Sequence, residues 1–282
     1  MIIYCNGDSF VAGSELADYT LPNHPGYFSD LPPAREKSIQ DGVLAWLKNV
    51  KFTVKNPQLR ELEEHCRSLA FPNKIQKILG CKVINAAVNG HSMDGITRTT
   101  ITSLSRLLAE KNTDIVAILS TTEMNRLELP VRPGYEKFLW YNCSTGYDMP
   151  HQQSDYPHVI KYMVTHDTDY HQYMRFYKNV ILIQDFCKVN SIKLYWVKGL
   201  PHEGLGAHQT LGSFLEKPST PKDLEVLVTY ADLKYDIGMK KSSSRLATKN
   251  IYCPQGHFIE EVHAVAAGEL CDLILKEHRC IT

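Results

Sequence analysis

The sequence predicts an α/β fold in which a parallel sheet is covered by helices on both faces. Apolar runs of strand length alternate along the chain with apolar repeats of helical spacing, which is the order typical of such sheets. The run IVAIL at residues 115–119 is apolar throughout, as expected for a strand that is covered on both faces.

Four strands and four helices are predicted. The strands are apolar runs at residues 1–6, 82–87, 115–119 and 192–197. The helices repeat apolar residues every three or four positions, over residues 71–79, 95–110, 173–189 and 259–276. Gly80 directly follows the first helix, where a glycine commonly serves as the C-terminal cap.

Three irregular insertions interrupt this pattern, near residues 14–70, 128–170 and 202–250. The sequence contains no internal repeat and no clean domain boundary. We therefore expect residues 1–282 to form one domain, whose insertions wall a cleft or contact a partner.

The composition argues against several classes of function. The 31 lysines and arginines balance the 31 aspartates and glutamates, so there is no electrostatic basis for binding nucleic acid or an anionic membrane. No apolar stretch approaches the roughly 18 residues that span a bilayer, and no secretory signal is recognisable. The eight cysteines form no Cys-x-x-Cys pair, which predicts reduced thiols, a cytoplasmic location and no metal site.

The candidate functional residues follow the predicted strands directly. They lie in the segment NGDS at residues 6–9, around Gly90, and in the segment STTEMN at residues 120–125. Because ligands bind outside the carboxyl ends of the strands in parallel sheets, we expect these loops to meet at one edge of the sheet.

Ser9 has two interpretations. Gly7 allows a tight turn, and either Asp8 or Ser9 could simply cap the helix that follows. Alternatively, Ser9 is a nucleophile whose backbone N–H points at an anion formed nearby. The N–H of Gly90 is then a candidate second donor to that anion. A phosphate-binding loop is excluded because the required lysine is missing.

The segments NGDSF at residues 6–10 and VINAAVNG at residues 83–90 resemble the first two sequence blocks of the SGNH (GDSL-type) hydrolases. The resemblance covers residues 1–13, 71–126 and 253–275, and is greatest to SGNH-like proteins of tailed phages. This family of esterases, thioesterases, lipases and carbohydrate O-deacetylases has a three-layer α/β/α flavodoxin-like fold. The resemblance implies that fold and, for a phage-encoded chain, a place in the host cytoplasm or the virion.

The resemblance also implies roles for single residues. Ser9 matches the nucleophile, and Gly90 matches the glycine whose N–H helps to form the oxyanion hole. The family's third oxyanion donor is an asparagine after the third strand. Thr122 stands in its place here, and Asn125 is the other candidate.

Two histidines compete for the role of general base. The family's base stands just before the last helix, often with a second histidine six residues later, and this spacing matches His257 and His263. The resemblance therefore favours His257, although the usual aspartate three residues before it is missing. Glu260 stands three residues before His263, so His263 with Glu260 as its acid remains the alternative pair.

The leading hypothesis is a serine esterase that removes an O-acyl group, such as acetyl, from a carbohydrate or another small ester, without a metal or organic cofactor. Arg98 and Arg126 flank the loops, where each could bind an anionic substrate or pair with a carboxylate such as Glu128. The alternative is a non-catalytic SGNH-like structural or binding module, for example in a phage particle.

Overall fold

A computed structural model of the protein describes residues 1–13, 16, 64–88, 90–124, 126–131, 139–144, 169–199, 222–231, 233–246 and 258–279. The predicted α/β class is confirmed there. The main sheet consists of β1 (Ile2–Asn6), β2 (Lys82–Asn85), β3 (Ile115–Ser120), β6 (Lys193–Lys198) and β7 (Ile237–Gly238). A separate antiparallel pair consists of β4 (Arg126–Val131) and β5 (Leu139–Ser144).

Seven helices have both ends within these residues, and residues 64–69 are also helical. They are α1 (Ser9–Ala12), α2 (Phe71–Leu79), α3 (Met93–Ala109), α4 (Asp169–Val189), α5 (Lys222–Ala231), α6 (Met239–Ser243) and α7 (Glu260–Arg279). None of the helices in the described part of the chain is long and apolar enough to cross a membrane.

The five strands of the main sheet are all parallel and follow the order β2-β1-β3-β6-β7. This is the flavodoxin-like order, in which the chain moves from β1 to one side and then returns to the other side of β1 with β3. The carboxyl ends of β1 and β3 therefore form the topological switch point. Ligands of open α/β sheets bind at this position.

Alternating side chains of β1 separate the two helical layers. Ile3 and Cys5 are buried in one apolar core with residues of α1, α2, α6 and α7. Tyr4 is buried in a second core with residues of α3, α4 and α5. Because successive side chains of a strand point to opposite faces, this burial on both faces gives three layers, as predicted.

The predicted bounds of α2 agree with the structure, and local chemistry explains both ends. Pro72 lies in the first turn, where its missing N–H has no intrahelical partner to lose. Gly80 adopts a φ of 64° and donates its N–H to the carbonyl of Gln76, which ends the helix. The other predicted elements are also present, with ends shifted by up to four residues.

Some regular structure lies within the segments predicted to be irregular. The third such segment, residues 202–250, contains α5, β7 and α6, and the second contains most of the β4–β5 pair. The two-residue strand β7 is too short for its apolar periodicity to be visible in the sequence. It joins the sheet because Ile237 pairs with Val197 and Gly238 pairs with Lys198.

Candidate active site

The loops that follow β1 and β2 run side by side. Beyond the ends of the paired strands, the N–H of Ala86 donates to the carbonyl of Cys5 at 2.8 Å, and the N–H of Val88 donates to the carbonyl of Gly7 at 3.2 Å. On the other side of β1, Asn6 is level with Leu119 of β3. The three loops singled out in the sequence therefore meet at the switch point.

The turn at Gly7 is too crowded for any side chain. A Cβ at this position would lie 2.5 Å from Cγ2 of Val11 and 2.9 Å from Cβ of Ser120. The preceding side chain, Asn6, is buried, and its Oδ1 accepts the N–H of Gly7 at 2.8 Å. Its Nδ2 donates to the hydroxyl of Thr100 at 2.9 Å, which joins the turn to α3.

Asp8, and not Ser9, caps α1. Its Oδ1 accepts the N–H of Phe10 at 3.1 Å, and Ser9 is the first residue of the helix. An N–H in the first turn of a helix has no intrahelical acceptor. Among the described residues, neither the N–H nor the hydroxyl of Ser9 makes a hydrogen bond. Ser9 is largely buried, with 8% of its surface exposed, at the carboxyl end of β1.

Gly90 lies in an exposed turn directly after the β2 loop. Its φ of 71° is a left-handed conformation that glycine adopts without strain, and a Cβ here would meet no atom within 4 Å. The N–H of His91 donates to the carbonyl of Val88 at 3.1 Å and closes the turn. The N–H of Gly90 has no acceptor among the described residues and is open to a ligand.

Thr122 and Arg126 surround the carboxylate of Asp8. The Thr122 hydroxyl donates to Oδ2 of Asp8 at 3.2 Å and accepts from Nη1 of Arg126 at 2.9 Å. The same Nη1 lies 3.3 Å from Oδ2 of Asp8, and Nε of Arg126 donates to Glu123 at 3.1 Å. Because the single hydroxyl proton of Thr122 is donated to Asp8, it is not also donated to a substrate oxygen in this arrangement.

Arg98 forms a two-pronged ion pair with Glu128. Its Nε and Nη2 donate to the two carboxylate oxygens at 2.8 and 2.7 Å. The Glu128 side chain is 2% exposed, and its hydrogen bonds raise the pKa of Arg98. Both Arg98 and Arg126 are thus paired with carboxylates in the structure, and their role towards a substrate stays a prediction.

His91 is a buried histidine beside the site to which the sequence analysis gave no role. It is 2% exposed, and a Cβ on Gly95 would lie 2.4 Å from its Nε2. Burial lowers the pKa of His91 to about 4, which outweighs the opposite effects of the Glu128 carboxylate and the Gly7 carbonyl. The Nδ1 of His91 has no hydrogen-bond partner within the described ranges. Its position next to Gly90 placed it near the site in the sequence, but nothing in the sequence indicated its burial.

Of the two histidines predicted as general base, only His263 lies among the described residues. His263 is 1% exposed on α7, stacks on the ring of Phe71, and accepts the Phe71 N–H through Nδ1 at 3.2 Å. Glu260 pairs with Lys74 of α2 at 2.5 Å. His257 and Asn125 lie outside the described residues.

No protein-family model matches the chain, and neither does any curated protein. Three solved structures align along almost all of it. A G-D-S-L family protein from Desulfitobacterium hafniense DCB-2 is 8% identical, with a TM-score of 0.39 over 96% of this chain and 98% of its own. TesA is 9% identical, with a TM-score of 0.43 over 96% of each chain. The acetyl xylan esterase Est2A from the rumen bacterium Butyrivibrio proteoclasticus is 12% identical, with a TM-score of 0.40 over 98% of this chain and 63% of its own.

Proposed function

We propose that the protein is a serine esterase of the SGNH type. The observation that carries the proposal is the state of Ser9. Its hydroxyl and its N–H are free of partners among the described residues, just beyond the carboxyl end of β1, and 8% of Ser9 is exposed. The hydroxyl oxygen of a serine that only capped a helix would accept a backbone N–H. Here the carboxylate of Asp8 accepts that N–H instead.

In this proposal Ser9 attacks the acyl carbon of an ester and forms a covalent acyl-enzyme. The N–H groups of Ser9 and Gly90 donate to the oxygen that becomes negatively charged in the tetrahedral intermediate. His257 accepts the hydroxyl proton and transfers it to the departing alcohol. Water then attacks the acyl group, returns its proton through His257, and releases the acid.

The proposed substrate is an uncharged O-acyl group, such as an acetyl ester on a carbohydrate or on another small alcohol. The charges of the site support this choice. Arg98 is occupied by Glu128, while Arg126 is occupied by Asp8 and Glu123. Because both guanidinium groups are held by carboxylates, neither is set out to attract an anionic substrate.

Thr122 favours a second candidate function, a non-catalytic SGNH-like module that binds a partner or forms part of a phage particle. A serine esterase would use a third oxyanion donor from the β3 loop, and the loss of one such donor typically costs about 10²–10³ in rate. The Thr122 proton is donated to Asp8. This candidate and the esterase differ in whether Ser9 reacts.

Hydrolysis of 4-nitrophenyl acetate by the wild type, by Ser9→Ala and by Ser244→Ala tests the esterase. Ser244 is an exposed serine after α6 and serves as the matched control. We expect the wild type and Ser244→Ala to hydrolyse the ester and to react with a fluorophosphonate probe, and Ser9→Ala to do neither. A folded wild type that never reacts with the probe would support the non-catalytic module. A peracetylated monosaccharide as competing substrate then tests the preference for sugar esters.

A further inference from the structure

We infer that β4 holds the loops of Ser9 and Gly90 in their working positions through Arg126 and Glu128, which are positioning residues. We call these two side chains the β4 brace. The inference rests on the proposed function, because it concerns how the nucleophile and the oxyanion donors are held. The strand belongs to the small β4–β5 pair and is not part of the main sheet.

The two residues of the β4 brace point to the same side of their strand. Side chains two positions apart share one face of a strand, so Arg126 and Glu128 both face the loops at the switch point. Leu127 between them is also buried. One short strand therefore presents a cation and an anion together, and each pairs with an opposite charge outside the β4–β5 pair.

Arg126 acts on the nucleophile through Asp8. The carboxylate of Asp8 has no exposed surface, and it directly precedes Ser9 in the chain. Its Oδ1 fixes the first turn of α1 by accepting the N–H of Phe10, while its Oδ2 is held by Arg126 and Thr122. Movement of Arg126 would remove a partner from Oδ2 of this carboxylate. The carboxylate could then shift, and the direction in which α1 presents Ser9 would change with it.

Glu128 acts on the oxyanion loop through α3 and His91. Its carboxylate takes both prongs of Arg98 from α3, and a Cβ on Gly95 would lie 2.8 Å from its Oε1. The same Gly95 is the surface on which the His91 ring packs. Glu128 and His91 therefore lie against the same glycine, and a shift of this carboxylate would loosen the Gly90 turn.

The start of β4 is itself fixed from α4. Nη2 of Arg175 donates to the carbonyls of Met124 and Arg126, at 3.1 and 3.4 Å. Nε of Arg175 lies 3.5 Å from Oδ2 of Asp94 in the first turn of α3. The β4 brace is therefore attached to the helical layer at its base, which gives it a rigid support from which to hold two loops.

Both charges of the β4 brace are paired with other side chains of the protein. Ester hydrolysis by a serine nucleophile requires the nucleophile and its oxyanion donors to stay within about 0.5 Å of the productive geometry. Supporting residues hold them there. Small displacements reduce the rate of the chemical step more than they reduce substrate binding. The β4 brace should therefore affect kcat much more than KM.

The test compares kcat and KM for 4-nitrophenyl acetate, and the rate of fluorophosphonate labelling, in Arg126→Lys, Arg126→Gln and Glu128→Gln. The matched control is Lys193→Gln, which removes a lysine paired with Glu277 near the opposite end of the sheet. Thermal unfolding of each variant shows which of them are folded at the assay temperature. We expect kcat to fall at least about tenfold in Arg126→Gln and Glu128→Gln, with KM within about twofold, and the control to match the wild type. Arg126→Lys should lie between the wild type and Arg126→Gln, because lysine keeps the charge but cannot place separate nitrogens on Asp8 and Glu123.

Each result either supports or overturns the inference. Folded Arg126→Gln and Glu128→Gln with kcat within about twofold of the wild type overturn the β4 brace and leave the esterase standing. If Arg126→Gln does not fold, the nearly isosteric Glu128→Gln decides by the same criterion. The β4 brace is also overturned if the wild type is active and the variants have a raised KM with an unchanged kcat, because these residues would then bind substrate. A wild type that neither hydrolyses the ester nor labels overturns the proposed function and the β4 brace together.

Discussion

Nη1 of Arg126 lies 3.3 Å from Oδ2 of Asp8, the residue immediately before the candidate nucleophile. Asp8 is fully buried, and Arg126 is the cation that contacts it from the β4 strand. The carboxylate therefore has two tasks, because its other oxygen caps α1. These two tasks can be separated by substitution.

Replacing Asp8 by alanine should destabilise the protein far more than replacing it by asparagine. Alanine removes the helix cap and leaves Arg126 without its buried partner, and breaking a buried pair costs about 3–5 kcal/mol. Asparagine still caps a helix, so Asp8→Asn should lose the charge but keep the cap, whose loss costs about 0.5–2 kcal/mol. Urea unfolding of both variants measures the difference. Equal losses for the two variants would show that the cap contributes nothing.

Gly7→Ala should damage the turn that delivers Ser9. The added Cβ would lie 2.5 Å from Val11 and 2.9 Å from Ser120, so backbone or side chains must move. Forcing an extra methyl into a packed site typically costs about 1–3 kcal/mol. We expect a lower free energy of unfolding and slower fluorophosphonate labelling of Ser9.

Gly268→Ala is the control for that substitution. Gly268 lies inside α7, and a Cβ there would meet no atom within 4 Å. Alanine is favoured over glycine in a helix by roughly 0.5–1 kcal/mol, so this variant should be slightly more stable than the wild type. A Gly7→Ala protein as stable and as readily labelled as Gly268→Ala would contradict the crowding at the turn.

Thr122→Val separates a structural role of the Thr122 hydroxyl from a role in the oxyanion hole. The variant loses the bonds to Asp8 and Arg126, which should cost about 1–3 kcal/mol of stability. The loss of an oxyanion donor would lower kcat by about 10²–10³. We expect the stability loss with a fall in kcat of less than about tenfold, measured by urea unfolding and ester hydrolysis. Thr122→Ser, which keeps the hydroxyl, should match the wild type in both measurements.

The fold could be predicted from the sequence because its signals are local. The apolar run of β3 indicates a strand, and the glycine after α2 indicates the end of a helix, each within a few residues. The β4 brace could not be predicted, because the partners of Arg126 and Glu128 lie 118 and 30 positions away. Residue types alone left each arginine with two possible partners, a substrate or a carboxylate.

The burial of His91 was also beyond the sequence. A histidine in a glycine-containing turn is ordinarily a solvent-exposed residue, and nothing in VNGHSMDG marks it otherwise. Its burial depends on Gly95 one turn into α3, where the missing side chain makes room for the ring. Such a fit between a ring and a distant hole is a tertiary property, which explains why periodicity did not detect it.

His91 should make the protein less stable in mild acid. Its pKa of about 4 in the folded state lies below the value of about 6.5 in an unfolded chain. Between these values the unfolded state binds more protons, so the free energy of unfolding falls as the pH drops from about 6.5 to about 4. A shift of this size corresponds to about 3 kcal/mol, since each unit is worth about 1.4 kcal/mol. Urea unfolding at both pH values measures the loss.

His91→Gln isolates the contribution of this histidine. Glutamine does not titrate, while the neighbouring Glu128 and Arg98 remain in both proteins. The difference in stability between wild type and variant should therefore be pH-independent above about pH 7 and should shrink as the pH falls towards 4. A difference that stays constant over the whole range would rule out a buried neutral His91 as the cause.

His263 and His257 should respond to substitution in opposite ways. His263 accepts the N–H of Phe71 at the start of α2 and stacks on the Phe71 ring, so its imidazole has a structural role in holding α2. We expect His263→Ala to lose about 2–4 kcal/mol of stability through the unsatisfied N–H and the cavity, while the folded fraction keeps its kcat. If His257 is the base, His257→Ala should keep its stability and lose activity by several orders of magnitude.

Urea unfolding and ester hydrolysis of both variants decide which histidine is the base. Lys74→Gln, in α2 beside Glu260, provides a further comparison, because Glu260 would be the orienting acid if His263 were the base. Releasing Glu260 from Lys74 would then raise or lower kcat, whereas it should leave kcat unchanged if His257 is the base. A folded His263→Ala without activity, together with an active His257→Ala, would transfer the role to His263. In that case the bond from the Phe71 N–H to Nδ1 would have to break first, because a neutral ring that accepts through Nδ1 carries its proton on Nε2 and cannot take the proton of Ser9 there.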